Sequence, residues 1–316
     1  MNRSLGIGIV CAALALGLGC SQKGASKPLI ALAQANSQDP WRQVFDAQIK
    51  KTAAQHPEVD FEEQDAQDDP IKQSNQIDTF KVKGAKVLLV SAASEAVQKS
   101  VEAAFDAGIP VILLDRQIPG DKYTAWVGGD NVDIARQAAA YIAKRLNGKG
   151  VVLMIKGKAG AGPTIDRENG AKDEFKKYPG ITVIDGYYCD YQREPARKYM
   201  ETFLQTKKHI DAVYAHNDEM AIGARMAWDA SGQKSPAPIF VSIDGCQKEE
   251  IDDILAGKLD ATFQYPVPGA KGFELALDLL KGQKLPQKRY ILPTQMVTKE
   301  NAQAFLKANP DLYARP

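Results

Sequence analysis

Asp115 and Arg116, Asn217 and Asp218, and Asp244 stand out by placement: each group ends a short apolar run or follows it within two residues. In an open parallel α/β sheet the carboxyl ends of the strands form the rim of a crevice, so one crevice would collect all of them. Carboxylates that accept, Arg forks that donate and amides that do both suit a hydroxylated ring, because every hydroxyl is at once donor and acceptor. Trp41 and Tyr191 offer aromatic faces to the C–H side of such a ring. Taken singly, each residue fits a plainer task equally well: an N-cap or turn for Asn217, Asp218 and Asp244, first-turn packing for Trp41. Only their assembly on one rim favours recognition of a polyol.

Catalytic signatures are missing where they would be expected. The glycine-rich stretch 157–162 follows a strand, but Pro163-Thr164 comes next where a phosphate loop needs Lys and Ser or Thr. A dinucleotide fingerprint fails for want of its third glycine. His56, His209 and His216 are the only histidines, and none has a metal-ligand spacing with Cys or another His. No Gly-x-Ser-x-Gly elbow occurs. The expectation is therefore no catalytic residue, no metal and no cofactor.

The elements that must position the rim alternate strictly. Apolar runs at 86–90, 110–114, 151–155, 211–215 and 238–243 read as buried strands, each followed by a helical pattern. A first strand covers 29–34, and Trp41, Val44, Phe45 and Ile49 form a helical stripe behind it. Asp69-Pro70 opens another helix that Gly84 stops. Such alternation implies parallel sheets with right-handed crossovers, in two similar series. The tail is irregular: a strand at 259–263, a helix at 268–281, and a strand at 290–297 interrupted by Pro293, which we expect to return and complete the earlier sheets.

A length of 316 residues exceeds the roughly 250–300 that one core supports, which favours two lobes. The net charge of +1, with no basic stripe, leaves no case for nucleic acid. At the start, Arg3, an apolar stretch over 5–18 and Gly19 before Cys20 read as an export signal, too short for a membrane span. Residues 21–27 then form a flexible tether. Cys189 and Cys246 follow different strand ends and read as two separate thiols.

Three motifs in fixed order carry a resemblance: Leu113-Leu114-Asp115-Arg116, the stretch from Val213 through Asn217 to Ala224, and Val241-Ser242-Ile243-Asp244-Gly245. Together they resemble the ribose-type periplasmic sugar-binding proteins of ABC importers, over residues 28 to about 297. Trp41-Arg42 and Ile165-Asp166-Arg167 look closest to the galactofuranose-binding branch. The resemblance implies an α/β fold of two Rossmann-like parallel-sheet lobes joined by a multi-strand hinge, the type I periplasmic binding protein fold. Its lobes would be 28–129 plus 265–292 and 130–264 plus 293–316, with crossings near Gly129, Gln264 and Pro293.

The implied ligand contacts are Trp41, Arg42, Asp115, Arg116, Arg167, Tyr191, Asn217, Asp244 and Gln264. The ligand would be a monosaccharide, pentose or hexose, held by hinge closure. Ala35 stands where ribose binders carry a contact serine, and three arginines against two aspartates leave room for an acidic sugar. The partner would be an ABC permease, or for a sensing module a chemoreceptor or sensor kinase, with the protein itself a monomer. The segment ending Leu16-Gly17-Leu18-Gly19-Cys20 resembles a lipobox, which implies lipidation at Cys20, a membrane anchor and a periplasmic or cell-surface location.

Overall fold

The apolar runs become the inner strands of two sheets in the computed structural model, which describes residues 26–233 and 236–313. The signal at 1–20, the lipidation site Cys20 and the tether up to residue 25 lie outside the described residues.

The first sheet holds β1 (Leu29–Gln34), β2 (Asp60–Asp65), β3 (Val87–Val90), β4 (Val111–Leu114), β5 (Ala125–Gly128) and, from the chain's far end, β11 (Arg289–Ile291). Their order is β11-β5-β4-β3-β1-β2, parallel throughout. The second sheet holds β6 (Lys149–Lys156), β7 (Gly180–Tyr188), β8 (Ala212–Ala215), β9 (Ile239–Asp244), β10 (Ala261–Gln264) and β12 (Met296–Thr298). It runs β12-β10-β9-β8-β6-β7, with only β12 antiparallel. In both sheets the winding reverses beside the first strand, between β1 and β3 and between β6 and β8. A doubly wound sheet opens its crevice at that reversal.

Local sequence explains the helices that flank it. In α1 (Pro40–Ala54) the Asp39 side chain accepts the Arg42 N–H and Pro40 fills the first turn. Trp41, Phe45 and Ile49, four apart, are buried on one face, each contributing about 1.5–3 kcal/mol. In α2 (Pro70–Val82) Asp69 caps two N–H groups, and Gly84, at φ +79°, ends the helix in a conformation other residues resist. The remaining helices are α3 (Gln98–Asp106), α4 (Asn131–Arg145), α5 (Gly162–Phe175), α6 (Arg193–Gln205), α7 (Asp218–Ala230), α8 (Lys248–Leu255), α9 (Gly269–Leu280) and α10 (Ala302–Ala308).

Two departures from the sequence reading are informative. Residues 290–297 are not one strand: β11 and β12 belong to different sheets, and Pro293, which has no N–H for a ladder, lies in the stretch between them. The short helices α8 and α10 were not anticipated, because eight and seven residues give too little periodicity to register. Among the described residues the chain passes between sheets three times, after β5, after β10 and after β11. The largest apolar cluster contains Trp41 and Tyr265 together with residues of both sheets.

Candidate functional site

The site is assembled from strand ends. After β1 the chain turns into α1 and delivers Asp39, Trp41 and Arg42; after β4 it delivers Asp115 and Arg116. From the second sheet α5 supplies Arg167, the turn after β7 supplies Tyr191, the turn after β8 supplies Asn217, and β9 ends at Asp244. These residues, with Pro163 and Tyr265, line one narrow cavity of about 40 Å³.

On the first-lobe side Arg42 is the centre. Its Nη2 donates to Asp115 Oδ2 at 2.6 Å, and Nη1 to Ser91 Oγ at 2.6 Å and Gln34 Oε1 at 3.3 Å. Burial works against charge on Arg42, but Asp115 and Asp39 outweigh it and hold the guanidinium protonated. Asp115 sits at φ +64°, and its Oδ1 accepts the Tyr265 hydroxyl at 2.8 Å. Burial pushes the Asp39 carboxyl above its ordinary range, with Arg42 pulling back. Trp41 packs into the apolar cluster as a first-turn residue and also lines the cavity, and its indole N–H donates to the Tyr265 carbonyl at 3.0 Å.

On the second-lobe side Arg167 plays the matching part. Its Nε donates to Asn131 Oδ1 at 2.9 Å, while Nη1 reaches the His216 carbonyl and Asp244 Oδ1, the latter at 3.2 Å. The guanidinium lies 4.9 Å from the Tyr265 ring centre. Burial raises Asp244 well above the carboxylate range, partly offset by Arg167. Asn217 caps α7 by accepting the Met220 N–H and donates one amide N–H to the Tyr191 carbonyl at 3.0 Å. Capping and cavity lining thus coincide in one side chain.

Gln264 is the exception among the expected contacts. It does not line the cavity; its neighbour Tyr265 does. Successive side chains of an extended strand alternate in direction, so at the end of β10 only one of the pair faces the cleft. Sequence reasoning also passed over Asp39 and Pro163, although Asp39-Pro40 is a legible helix start directly beyond β1.

At the mouth of the cleft Asp68, between β2 and α2, meets Lys158 of the opposite lobe at 3.3 Å and Arg116 of its own lobe at 3.3 Å. Burial works upward on Asp68, but Arg116, then Asn36 and Lys158, hold it below the usual range. Arg116 also donates to the Ala92 and Ala93 carbonyls, so it braces the rim as well as lining the cavity. Lys158 and Asp68 are 40% and 31% exposed, a geometry worth at most about 1 kcal/mol. Lys158→Met is expected to speed ligand release by about two- to fivefold, and stopped-flow fluorescence should show that difference vanish at high salt.

Behind this layer Asp46 accepts Gln34 Nε2 at 2.5 Å and steadies the Arg42 network. Burial pushes Asp46 up to about 6, Glu63 adding to the effect. A carboxyl that folds with a raised value favours the native state while protonated. Its contribution is whole below about pH 4 and is lost as pH rises to about 6, up to about 3 kcal/mol. Urea titrations across that window should show the loss, and Asp46→Asn should flatten it.

A cavity walled by the strand ends of two doubly wound lobes defines a class, the two-lobed solute-binding proteins of type I topology. The chain belongs to the periplasmic binding protein domain family, whose pattern matches residues 30–284. It is 31% identical over 281 residues to a ribose import binding protein of Haemophilus influenzae, covering 87% of this chain and 94% of that one. A galactofuranose-binding protein of Escherichia coli is 27% identical over 297 residues, covering 90% and 92%. Among solved structures, the fructose-binding periplasmic domain of a hybrid two-component system superposes with TM-score 0.84 at 36% identity, covering 90% and 94%.

Proposed function

We propose that this protein captures one neutral monosaccharide between its lobes and delivers it unchanged to an ABC permease. One observation carries the reading: every arginine of the cavity wall already donates to a carboxyl oxygen, Arg42 to Asp115 at 2.6 Å, Arg167 to Asp244 at 3.2 Å and Arg116 to Asp68 at 3.3 Å, so none stands open for a ligand carboxylate. A wall whose arginines are already paired matches a neutral polyol, while a uronic acid would bring in a carboxylate with no cation of its own. The lobes that swing are 28–129 plus 265–292 and 130–264 plus 293–316, about the three passages between sheets. Ligand that bridges both lobes stabilises only the closed state, and closure is the signal a permease reads.

The sugar class extends to furanose rings, which the galactofuranose-binding relative supports. The protein acts as an exported monomer held to the membrane by lipid on Cys20, which metabolic labelling with a fatty acid tests directly: a Cys20→Ser chain should remain unlabelled. A second reading, a receptor module feeding a sensor kinase, draws on the similarity to a two-component periplasmic domain. Gene deletion separates the two: transport predicts lost uptake, signalling predicts retained uptake and a lost sugar response.

The central test is calorimetry of the chain lacking residues 1–26 against D-ribose, L-arabinose, D-galactose, D-fructose, D-allose, myo-inositol and D-galacturonate. One neutral member should saturate at about micromolar Kd, near −8 kcal/mol. Tightest binding by D-galacturonate would overturn the charge argument.

A further inference from the structure

Behind the Asp244 turn lies a buried polar group that touches no part of the cavity. Asp218, the first residue of α7, is fully buried. Its Oδ2 accepts the Gly245 N–H at 2.9 Å and the Cys246 N–H at 3.4 Å. Its Oδ1 accepts the Ser242 and Thr262 hydroxyls at 2.8 and 2.7 Å. The turn it grips is an unusual one, with Asp244 at φ +129° and Gly245 at φ +60°. Conformations of that kind persist only where surrounding bonds fix them.

Proton counting extends the group. Ser242 Oγ lies 2.8 Å from Asp218 Oδ1 and also 2.8 Å from Glu250 Oε1, yet a hydroxyl has one proton to give. If Ser242 donates to Asp218, the contact with Glu250 needs its proton from Glu250. Glu250 is fully buried, and its Oε2 has no hydrogen-bond partner among the described residues, as suits the carbonyl oxygen of a neutral acid rather than a bare carboxylate. The chain then reads Glu250 to Ser242 to Asp218 to the backbone of the Asp244 turn, every donor facing an acceptor.

We propose that Asp218 is a positioning residue for the sugar contact Asp244, acting through the Gly245 and Cys246 amides, with a neutral Glu250 behind Ser242 keeping Asp218 an acceptor. The inference rests on the reading of the cleft as a sugar site. Electrostatics agree with the division of labour. Burial raises both carboxyls, Asp218 to about 6 and Glu250 well above its ordinary value, the latter further raised by Asp218. Glu249 and Asp253 of α8 add to the pressure on Glu250, and Arg167 faces the group only from the Asp244 side. A proton entering the pair therefore resides on Glu250.

The test is a double-mutant cycle on Kd by calorimetry, using whichever panel sugar binds the wild-type chain most tightly. Asp218→Ala should weaken binding about tenfold or more alone, but no more than about twofold in an Asp244→Asn background, since the residue through which it acts is already impaired. Equal losses in both backgrounds overturn the positioning role. Glu250→Gln should hold affinity within about threefold, because an amide N–H donates to Ser242 as the acid does; a tenfold loss overturns the neutral acid. The Gly245 and Cys246 amide resonances of ligand-free Asp218→Asn provide a readout that needs no sugar. They should move more than those of other turns, and unmoved resonances overturn the anchor whether or not any sugar binds. A wild-type chain that binds no sugar would instead sink the cleft reading alone.

Discussion

Asp115→Ala is expected to abolish sugar binding and to lower folding stability by about 3–5 kcal/mol. Asp115 Oδ2 carries the buried Arg42 at 2.6 Å, and its Oδ1 holds the Tyr265 hydroxyl at 2.8 Å. Both partners are almost wholly enclosed, with Arg42 3% and Tyr265 2% exposed. Removing the carboxylate strands a largely enclosed guanidinium without its closest anion, and that unpaired charge costs more than the pair contributed. The same loss frees Tyr265, which joins Trp41 on one side to Arg167 on the other. Calorimetry and urea unfolding measure the two effects separately. Wild-type stability in the mutant would refute this account of the pair, and binding within about threefold would remove Asp115 from the site.

Gly170→Ala is expected to cost about 2–4 kcal/mol and to weaken binding as well, although residue 170 touches no ligand surface. A Cβ built on Gly170 would lie 2.3 Å from the Val132 carbonyl oxygen, so α4 and α5 are in backbone contact there. That close approach lets Asn131, at the start of α4, reach Arg167 Nε on α5 at 2.9 Å. A methyl group must push the helices apart, and the first hydrogen bond to lengthen is the one that orients Arg167. Thermal unfolding should show the stability loss, and calorimetry the affinity loss. A stable mutant with reduced affinity would separate the two roles; unchanged affinity would sink the orienting one.

The rim was legible in the sequence because strand ends announce themselves. Asp115, Asn217 and Asp244 each terminate a run of buried apolar residues, and the fold brings those termini to one cavity. Chain reversal and N-capping are local physics, which is why Asp39-Pro40 and Asp69-Pro70 mark helix starts that the structure contains. Partnerships were not legible. Nothing in the residues around Asp68 foretells Lys158, ninety positions away, and nothing near Asp218 points to Glu250, Ser242 and Thr262. Gln264 failed for a different reason: choosing between two adjacent residues at a strand end needs the direction of the pleat, which a four-residue strand does not declare. Gly170 carries no sequence mark at all, since a glycine inside a helix usually signals only weakness.

The first sheet depends in part on cover synthesised late. Phe273 and Leu277 of α9 belong to the apolar cluster that includes Ile30, Phe45 and Leu114, and Gly272 packs directly against Leu114. A nascent chain therefore holds β1 to β5 with that flank covered only in part, by α1, until α9 has emerged from the ribosome. Truncation before residue 269 would strip Phe273 and Leu277 from the lobe encoded first and expose its apolar strands, the kind of surface that drives aggregation.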